Sequence, residues 1–418
     1  MMDTNTALGI AACVLISIAT ACSDDHKNTQ RLSNGGDLQS NSKTLPMHYY
    51  EEFDPVNQNG SELLSRRKRS GLYGFYDFQH YPFYEEIEAY LKNLAHLNND
   101  VEFFTIGKSY EGRDIMAIKI SNGASGNPIL FIDGGIHGRE WVSPTSALYA
   151  IQQFIVDRMK YRWLYNIDIV VVPLLNPDGY EYSRTHDRMW RKNRSWNRYT
   201  GCMGVHLNRN FDIDWNHSSQ VRDPCKETYA GPAAFSEPET QALRDYFNAH
   251  GSRIKVHVTI HSPITAIMYP WGIAGYRLPW NQNILECLAG NAASAVKSKS
   301  KSDYRVGSVR EILKKISAGS SIDWTMIHEG AKTSFALELP GKYPNGEYNF
   351  QPAERYIVYI GEQAYAMLKV FAKFTQTEEC HNTKNHYPKQ KPRVNPIIHK
   401  TQNTGDITWD WLKMKFQG

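Results

Sequence analysis

Three side chains with metal-binding chemistry stand at the ends of two predicted strands. His137 and Glu140 are three residues apart, just after the apolar run at 129–133, and His261 ends the β-branched run that begins at Ile254. Two imidazoles and one carboxylate, with a fourth position left for water, are a common ligand set of a catalytic zinc. An isolated His-x-x-Glu pair is weak evidence, but together with His261 it predicts a zinc site at one edge of a parallel sheet.

Three charged side chains further along the chain suggest acid–base and anion-binding chemistry. Glu338 alternates with apolar neighbours at 333–339. A carboxylate on an apolar strand is costly unless it is paired or functional, so Glu338 is a candidate general base. Arg191 and Arg209 lie in polar segments, and a guanidinium binds a carboxylate through two parallel hydrogen bonds. Each arginine alone would be interpreted as a solvated loop charge, but their position among the zinc half-sites favours a shared site.

The elements that must position these side chains alternate between strand and helix patterns. Strands are predicted at 101–106, 115–120, 129–132, 167–174, 255–261 and 334–339, and helices at 82–97, after Trp141 and at 352–374. The alternation predicts an α/β fold, with a doubly wound mixed β-sheet flanked by helices.

With these motifs in this order, the chain closely resembles the zinc metallocarboxypeptidases of the pancreatic carboxypeptidase A and B type. The resemblance runs from about Tyr84 to about Phe374. The shared motifs are Ile-Gly-Lys-Ser-Tyr-Glu-Gly-Arg at 106–113, Gly-Gly-Ile-His at 134–137, Asn-Pro-Asp-Gly-Tyr at 176–180, Asn-Arg-Asn-Phe at 208–211, Tyr-Pro-Trp-Gly at 269–272, Ser-Ile-Asp-Trp at 321–324 and Phe-Ala-Leu-Glu-Leu at 335–339. It implies a peptidase with one zinc ion (Zn²⁺) per chain, acting on peptides and proteins with a free C-terminal carboxylate.

The resemblance also implies a role for each candidate residue. The zinc ligands would be His137, Glu140 and His261. Glu338 would be the general base, and Arg191 would stabilise the oxyanion. The groups that guide and clamp the terminal carboxylate would be Arg139, Asn208 and Arg209. Cys202 and Cys225 match a loop disulfide of the family.

Substrate preference depends on a pocket whose matching positions carry no charge. They are Met268, Gly272, Ile322 and Ala336. In the family, an acidic residue at the position of Ile322 selects C-terminal Lys or Arg. Burying a cationic side chain here would leave an unpaired charge. We therefore predict a preference for apolar or aromatic C-terminal residues.

The chain departs from the family in the loop that normally brings a tyrosine over the substrate. No tyrosine lies between Tyr304 and Trp324, and Lys315, preceded by Lys314, occupies the matching position. Two alternatives follow. A lysine reaching the pocket would attract a C-terminal Glu or Asp, or the chain would be a secreted binding homologue without turnover.

The first 69 residues have the pattern of a secretory precursor. The apolar run at 7–21 is shorter than the roughly 20 residues of a membrane-spanning helix and predicts a signal peptide at 1–21. A lipid anchor on Cys22 is the weaker alternative. A short pro-segment at 22–69 would end in Arg-Arg-Lys-Arg at 66–69, a site for a proprotein convertase.

The remaining chain is predicted to be a catalytic domain at 70–376 and a basic tail, expected to be disordered, at 377–418. A formal net charge of +4 with 41% hydrophobic residues is ordinary for a globular protein and indicates no nucleic-acid partner. We expect a secreted monomer without a stable membrane span.

Cysteine and asparagine positions add two expectations that sequence leaves open. Spacing does not establish whether Cys287 and Cys380 pair. Asn59, Asn193 and Asn216 lie in Asn-x-Ser sequons and are candidates for glycosylation.

Overall fold

The computed structural model describes residues 74–218, 222–275, 279–327, 331–341 and 349–381. The predicted signal peptide, the pro-segment and the tail from residue 382 onward lie outside the described residues. No helix among those described is long and apolar enough to cross a membrane.

An eight-stranded mixed sheet forms the centre of the molecule. Its strands are β1 (Val101–Lys108), β2 (Asp114–Ile120), β3 (Ile129–Gly134), β4 (Asp168–Val172), β5 (Ile254–His261), β6 (Ile264–Tyr269), β7 (Arg305–Ser308) and β8 (Thr333–Pro340). The order across the sheet is β1-β2-β4-β3-β5-β8-β6-β7. The central strands β4, β3, β5 and β8 run parallel, whereas β1 pairs antiparallel with β2 and β6 with β8. The predicted fold class is confirmed.

Helices cover both faces of this sheet. They are α1 (Tyr84–Leu97), α2 (Val142–Lys160), α3 (Pro177–Thr185), α4 (Trp215–Ser218), α5 (Pro238–His250), α6 (Gln282–Ser300), α7 (Val309–Leu313), α8 (Ser321–Ile327) and α9 (Ile357–Thr377). The sequence patterns had predicted α1, α2 and α9. Strands β6 and β7 had not been predicted.

The two faces of the sheet build separate apolar cores because β3 is buried on both sides. Leu130 and Ile132 face one core, with α1, α2, α6 and α9. Phe131 points the other way, toward Phe247 of α5 and Trp324 of α8. Each fully buried side chain of this size contributes roughly 1.5–3 kcal/mol, so both cores hold β3 at the middle of the sheet.

Two disulfides cross-link the periphery of the domain. Cys202 is bonded to Cys225, as the resemblance implied, across a sequence separation of 23 residues. Cys287 of α6 is bonded to Cys380, across 93 residues. This second bond answers the question that spacing left open. It ties the segment after α9 to α6.

The two disulfides should differ in how much they stabilise the domain. Restricting a longer loop removes more entropy from the unfolded chain, so losing Cys287–Cys380 should cost about 1 kcal/mol more than losing Cys202–Cys225. Cys287→Ser/Cys380→Ser and Cys202→Ser/Cys225→Ser double variants can be compared by urea unfolding. An equal or smaller loss in the first variant would contradict the prediction.

Candidate metal centre and active site

Strand register brings the predicted ligands to one edge of the sheet. In the parallel pair β3 and β5, Gly134 lies opposite Ile260, so both strands end together. In the next pair, His261 at the end of β5 lies opposite Glu338 of β8. The loop between β3 and α2 then carries His137 and Glu140 over these strand ends.

His137, Glu140 and His261 form a buried cluster whose ligand atoms all lie within 4.8 Å of one another. His137 Nδ1 lies 2.8 Å from Glu140 Oε1, and His261 Nδ1 lies 3.1 Å from Glu140 Oε2. Two imidazole nitrogens facing one carboxylate are a zinc donor set. Among the described residues, this is the one group of three such side chains close enough to hold a metal ion. The residues present therefore fit a zinc ion.

The surroundings favour the metal-binding protonation states of His137 and Glu140, whereas the hydrogen bond and charge of Glu140 outweigh burial at His261 and raise its pKa. Burial, helped by the charge of Arg191, holds the pKa of His137 well below its usual value, so its imidazole is neutral. Burial acts to raise the pKa of Glu140, but the contacts with His137 and His261 together outweigh it, and the pKa lies well below its usual value. Neutral imidazole and ionised carboxylate are the forms that a metal requires.

Glu338 lies beside this cluster with an unsatisfied oxygen. Its side chain is buried, and Oε2 has no hydrogen-bond partner within the described parts of the chain. Burial raises the pKa of Glu338 to about 7, and the nearby charge of Glu140 acts in the same direction. A carboxylate with a pKa near neutrality exchanges protons readily at physiological pH.

Two arginines line the cluster in different hydrogen-bonding situations. Arg191 Nη1 lies 3.1 Å from Glu140 Oε1, and its Nε donates to His206 Nε2 at 3.0 Å. Arg209 donates to the Asn208 carbonyl, and no carboxylate of the described residues lies within ion-pair distance of it. Burial and the charge of Arg191 lower the pKa of Arg209 to about 10. A bound anion would offset both effects.

Asn208 and Arg139 differ in their contacts with this group. Asn208 Nδ2 is 3.5 Å from His261 Nε2, and Asn208 Oδ1 accepts a hydrogen bond from the Ser321 amide at 2.9 Å. Arg139 instead pairs with Glu227 at 2.9 Å and lies over the Phe350 ring at 4.4 Å. Asn208 therefore borders the cluster, whereas Arg139 is held by its own partners.

The four predicted pocket residues meet in one apolar region. Met268 of β6 lies opposite Ala336 of β8, and both cluster with Ile322 and Val309. A side chain at Gly272 would approach Val309 and Ser317 to 3.0–3.1 Å, so glycine keeps this wall close. The side chains that pack together here are apolar.

Asp323 holds two walls of the apolar region together. The Gly272 amide donates to its Oδ2 at 2.9 Å, which joins the segment after β6 to α8. Burial raises the pKa of Asp323 to about 7. In the sequence, Asp323 is marked only by the Ser-Ile-Asp-Trp motif, which does not indicate its positioning role.

In the loop before α8, where the family carries a tyrosine, Lys314 and Lys315 are exposed whereas Ser317 is buried. Ser317 donates to the Gly272 carbonyl at 2.9 Å, so the loop packs on the pocket wall. Although the Lys315 side chain is exposed overall, partial desolvation lowers its pKa, and the charges of Arg209 and Arg191 lower it further. Lys315 is therefore within electrostatic reach of both arginines.

Two other residues were missed or misjudged from sequence. His206 is buried between Arg191 and His137, and its only sequence signal was its position two residues before Asn208. Asn193 is fully buried, and its amide donates to Glu237 at 2.7 Å and to Glu239 at 3.0 Å. The expectation that Asn193 is a glycosylation site is wrong, because its amide is committed to the interior.

Known proteins share both the sequence and the architecture. A family model described as zinc carboxypeptidase matches residues 87–367. The chain is 37% identical over 303 residues to carboxypeptidase B of Astacus astacus, covering 72% of this chain and 98% of that protein. It is 34% identical over 340 residues to carboxypeptidase B of Rattus norvegicus, covering 78% and 80%.

Solved structures agree with these relatives. Carboxypeptidase A from Helicoverpa armigera matches with a TM-score of 0.68 and 31% identity, covering 75% of this chain and 81% of that one. Thrombin-activatable fibrinolysis inhibitor matches with a TM-score of 0.68 and 29% identity, covering 77% and 82%. The family, fold and enzyme class expected from the motifs are confirmed. The chain belongs to the zinc carboxypeptidase family and is a metallocarboxypeptidase of the A/B type.

Proposed function

We propose that this chain is a secreted carboxypeptidase that removes apolar or aromatic residues from the C-termini of peptides and proteins. The observation that carries the proposal is the buried, unpaired Oε2 of Glu338 beside the His137, Glu140 and His261 cluster. An unsatisfied buried carboxylate is costly for the fold. Because Glu338 lies next to a metal-ligand set, we interpret this unsatisfied carboxylate as a catalytic group.

The proposed roles divide the reaction between four kinds of group. The zinc ligands are His137, Glu140 and His261. Zinc, when bound, supplies a Lewis acid that polarises the scissile carbonyl and acidifies water. Glu338 takes a proton from the attacking water and delivers it to the leaving amine. Arg191 donates to the developing oxyanion, a contribution whose loss typically costs about 3 kcal/mol of transition-state stabilisation.

Cleavage at the chain end follows from the side chains that recognise an anion. Arg209 has no carboxylate partner among the described residues, and a guanidinium binds a carboxylate bidentately. Asn208 lies next to Arg209, and Arg139 guides the substrate from the rim. Only a C-terminal residue offers a free carboxylate at this point, so the enzyme is an exopeptidase.

Apolar preference is supported by the uncharged cluster of Met268, Ile322 and Ala336 together with Gly272. Several relatives are named carboxypeptidase B, but that name does not transfer a preference to this pocket. A C-terminal Lys or Arg would bury a charge against apolar side chains at a cost of several kcal/mol. Phe, Leu and similar residues bury apolar surface instead.

A second candidate preference, for C-terminal Glu or Asp, is favoured by one observation. Lys315 lies within electrostatic reach of Arg209 and Arg191, so the loop over the pocket adds positive charge to the site. A second carboxylate on the substrate would reduce the repulsion among these cations.

Processing and location are proposed from sequence alone. The chain enters the secretory route through a signal peptide at 1–21. A proprotein convertase then cuts after 66–69 and releases the catalytic domain at 70–376 as a monomer. The predicted tail at 377–418 starts too early, because Thr377 still belongs to α9 and Cys380 is bonded to Cys287; we propose that residues beyond 381 form the tail.

Replacing the proposed general base should abolish turnover without removing the metal. In Glu338→Gln, a neutral amide cannot accept the proton, so kcat should fall by about 10²- to 10⁴-fold. Release of C-terminal amino acids by the form starting near Ser70 would be measured with and without a chelator, alongside zinc content. Glu102→Gln, at an exposed position, is the matched control. Near-normal turnover by Glu338→Gln would show that the base is assigned wrongly.

The carboxylate clamp should make cleavage depend on a free C-terminus. Peptides with a C-terminal amide should resist the enzyme. Arg209→Ala should lower kcat/KM for free peptides. The loss of transition-state stabilisation should be about 2–4 kcal/mol, the range for removing one partner of a buried charged pair. Arg198→Ala, at an exposed arginine, should change neither result. Equal cleavage of free and amidated peptides would indicate an endopeptidase.

Substrate ranking separates the two candidate preferences. We expect kcat/KM to be higher for peptides ending in Phe or Leu than for those ending in Glu, and lowest for Lys. A preference for Glu that disappears in Lys314→Ala/Lys315→Ala, but not in Lys297→Ala/Lys299→Ala, would favour the acidic alternative. A preference for Lys would contradict the pocket assignment altogether.

A further inference from the structure

His206 lies between the proposed oxyanion arginine and a zinc ligand. Its Nε2 accepts a hydrogen bond from Arg191 Nε at 3.0 Å. Its ring meets the His137 ring edge-on, with centroids 4.9 Å apart and an interplanar angle of 75°. Its side chain is buried, and its backbone amide is anchored to the Tyr229 carbonyl at 2.8 Å. The ring is therefore held in place from two sides.

The donor and acceptor nitrogens of His206 show that its hydrogen bond is with Arg191. A neutral imidazole has one acceptor nitrogen and one N–H. Because Nε2 accepts from Arg191, the ring hydrogen lies on Nδ1, and Nδ1 is buried without a partner among the described residues. The acceptor of His206 is thus committed to Arg191.

The zinc ligand His137 lacks a hydrogen-bond acceptor among the described residues for its second ring nitrogen, so His206 does not serve it. Its Nδ1 faces Glu140, so its ring hydrogen in the metal-bound form lies on Nε2. A metal-binding histidine usually donates this hydrogen to a carboxylate, a carbonyl or water. His137 Nε2 is instead buried without a partner in the described structure. By contrast, His261 Nε2 lies 3.4 Å from the Thr259 hydroxyl and 3.5 Å from Asn208 Nδ2.

We infer that His206 is a positioning residue that orients Arg191 for the oxyanion and does not support zinc binding by His137. The guanidinium of Arg191 otherwise has a direct contact only with Glu140 among the described side chains. Its second anchor, His206, fixes the direction of the remaining N–H groups. The inference rests on the proposed function, because it assigns a role within that reaction.

Three substitutions at His206 distinguish the roles of its two ring nitrogens. His206→Gln places an amide oxygen near the position of Nε2 and keeps an acceptor for Arg191. His206→Asn places its amide near the position of Nδ1, so Arg191 loses its hydrogen-bond acceptor. His206→Ala removes both. We expect kcat to fall by about 10- to 100-fold in the Asn and Ala variants, the scale for misplacing a catalytic group. KM should change little, and the Gln variant should retain most of kcat.

Zinc affinity and a double variant provide readouts that a general loss of structure would not reproduce. The zinc dissociation constant, measured by chelator competition without substrate, should be unchanged in all three variants. In an Arg191→Ala background, His206→Ala should cause no further loss of kcat, because its effect passes through that arginine. His96→Ala, on the exposed face of α1, is the control.

Each contrary outcome overturns the inference in a distinct way. A 10- to 100-fold weaker zinc affinity would assign His206 to the metal ligand instead. Equal kcat in the Gln and Asn variants, or additive losses with Arg191→Ala, would remove the link to the arginine. If the unmodified enzyme releases no C-terminal residues at all, the proposed function fails, whereas an active enzyme indifferent to His206→Ala refutes only this inference.

Discussion

The buried carboxylate of Glu140 is the interaction on which the rest of the site depends. It contacts the Nδ1 atoms of His137 and His261, Arg191 Nη1 and the Ser262 amide, all within 3.2 Å. These groups come from three segments of the chain, around residues 137, 191 and 261–262. An ionised carboxylate without such partners would cost several kcal/mol in this interior. Its burial therefore requires the strand ends and the arginine loop to converge.

A second polar network beneath the cluster keeps the strands in register. Asp133 of β3 accepts from Thr259 at 2.7 Å and lies 2.7 Å from His257 Nε2, both on β5. The other ring nitrogen of His257 lies 2.9 Å from the Thr325 hydroxyl of α8. Buried polar groups that are mutually satisfied specify one arrangement of their elements. The network thus restricts sliding of β5 against β3, which would separate His261 from Glu140.

Three cationic side chains of the site act on one another. Burial lowers the pKa of Arg209 and Lys315, and repulsion among Arg191, Arg209 and Lys315 lowers it further. Glu140 neutralises part of this charge through Arg191. In the proposed reaction, the carboxylate of a substrate would offset the remaining positive charge, and the apolar cluster around Ile322 would favour an uncharged side chain.

The sequence by itself determined the chemistry and the class of fold. Ligand types, the three-residue spacing of His137 and Glu140, and the alternation around Glu338 are local patterns, and local patterns survive without knowledge of the fold. Tertiary structure decided the pairing of Cys287 with Cys380, the burial of Asn193 and the place of His206 between Arg191 and His137. These contacts join residues that are distant in sequence. Which atoms meet depends on the register of the strands, and a short stretch of sequence does not reveal that register.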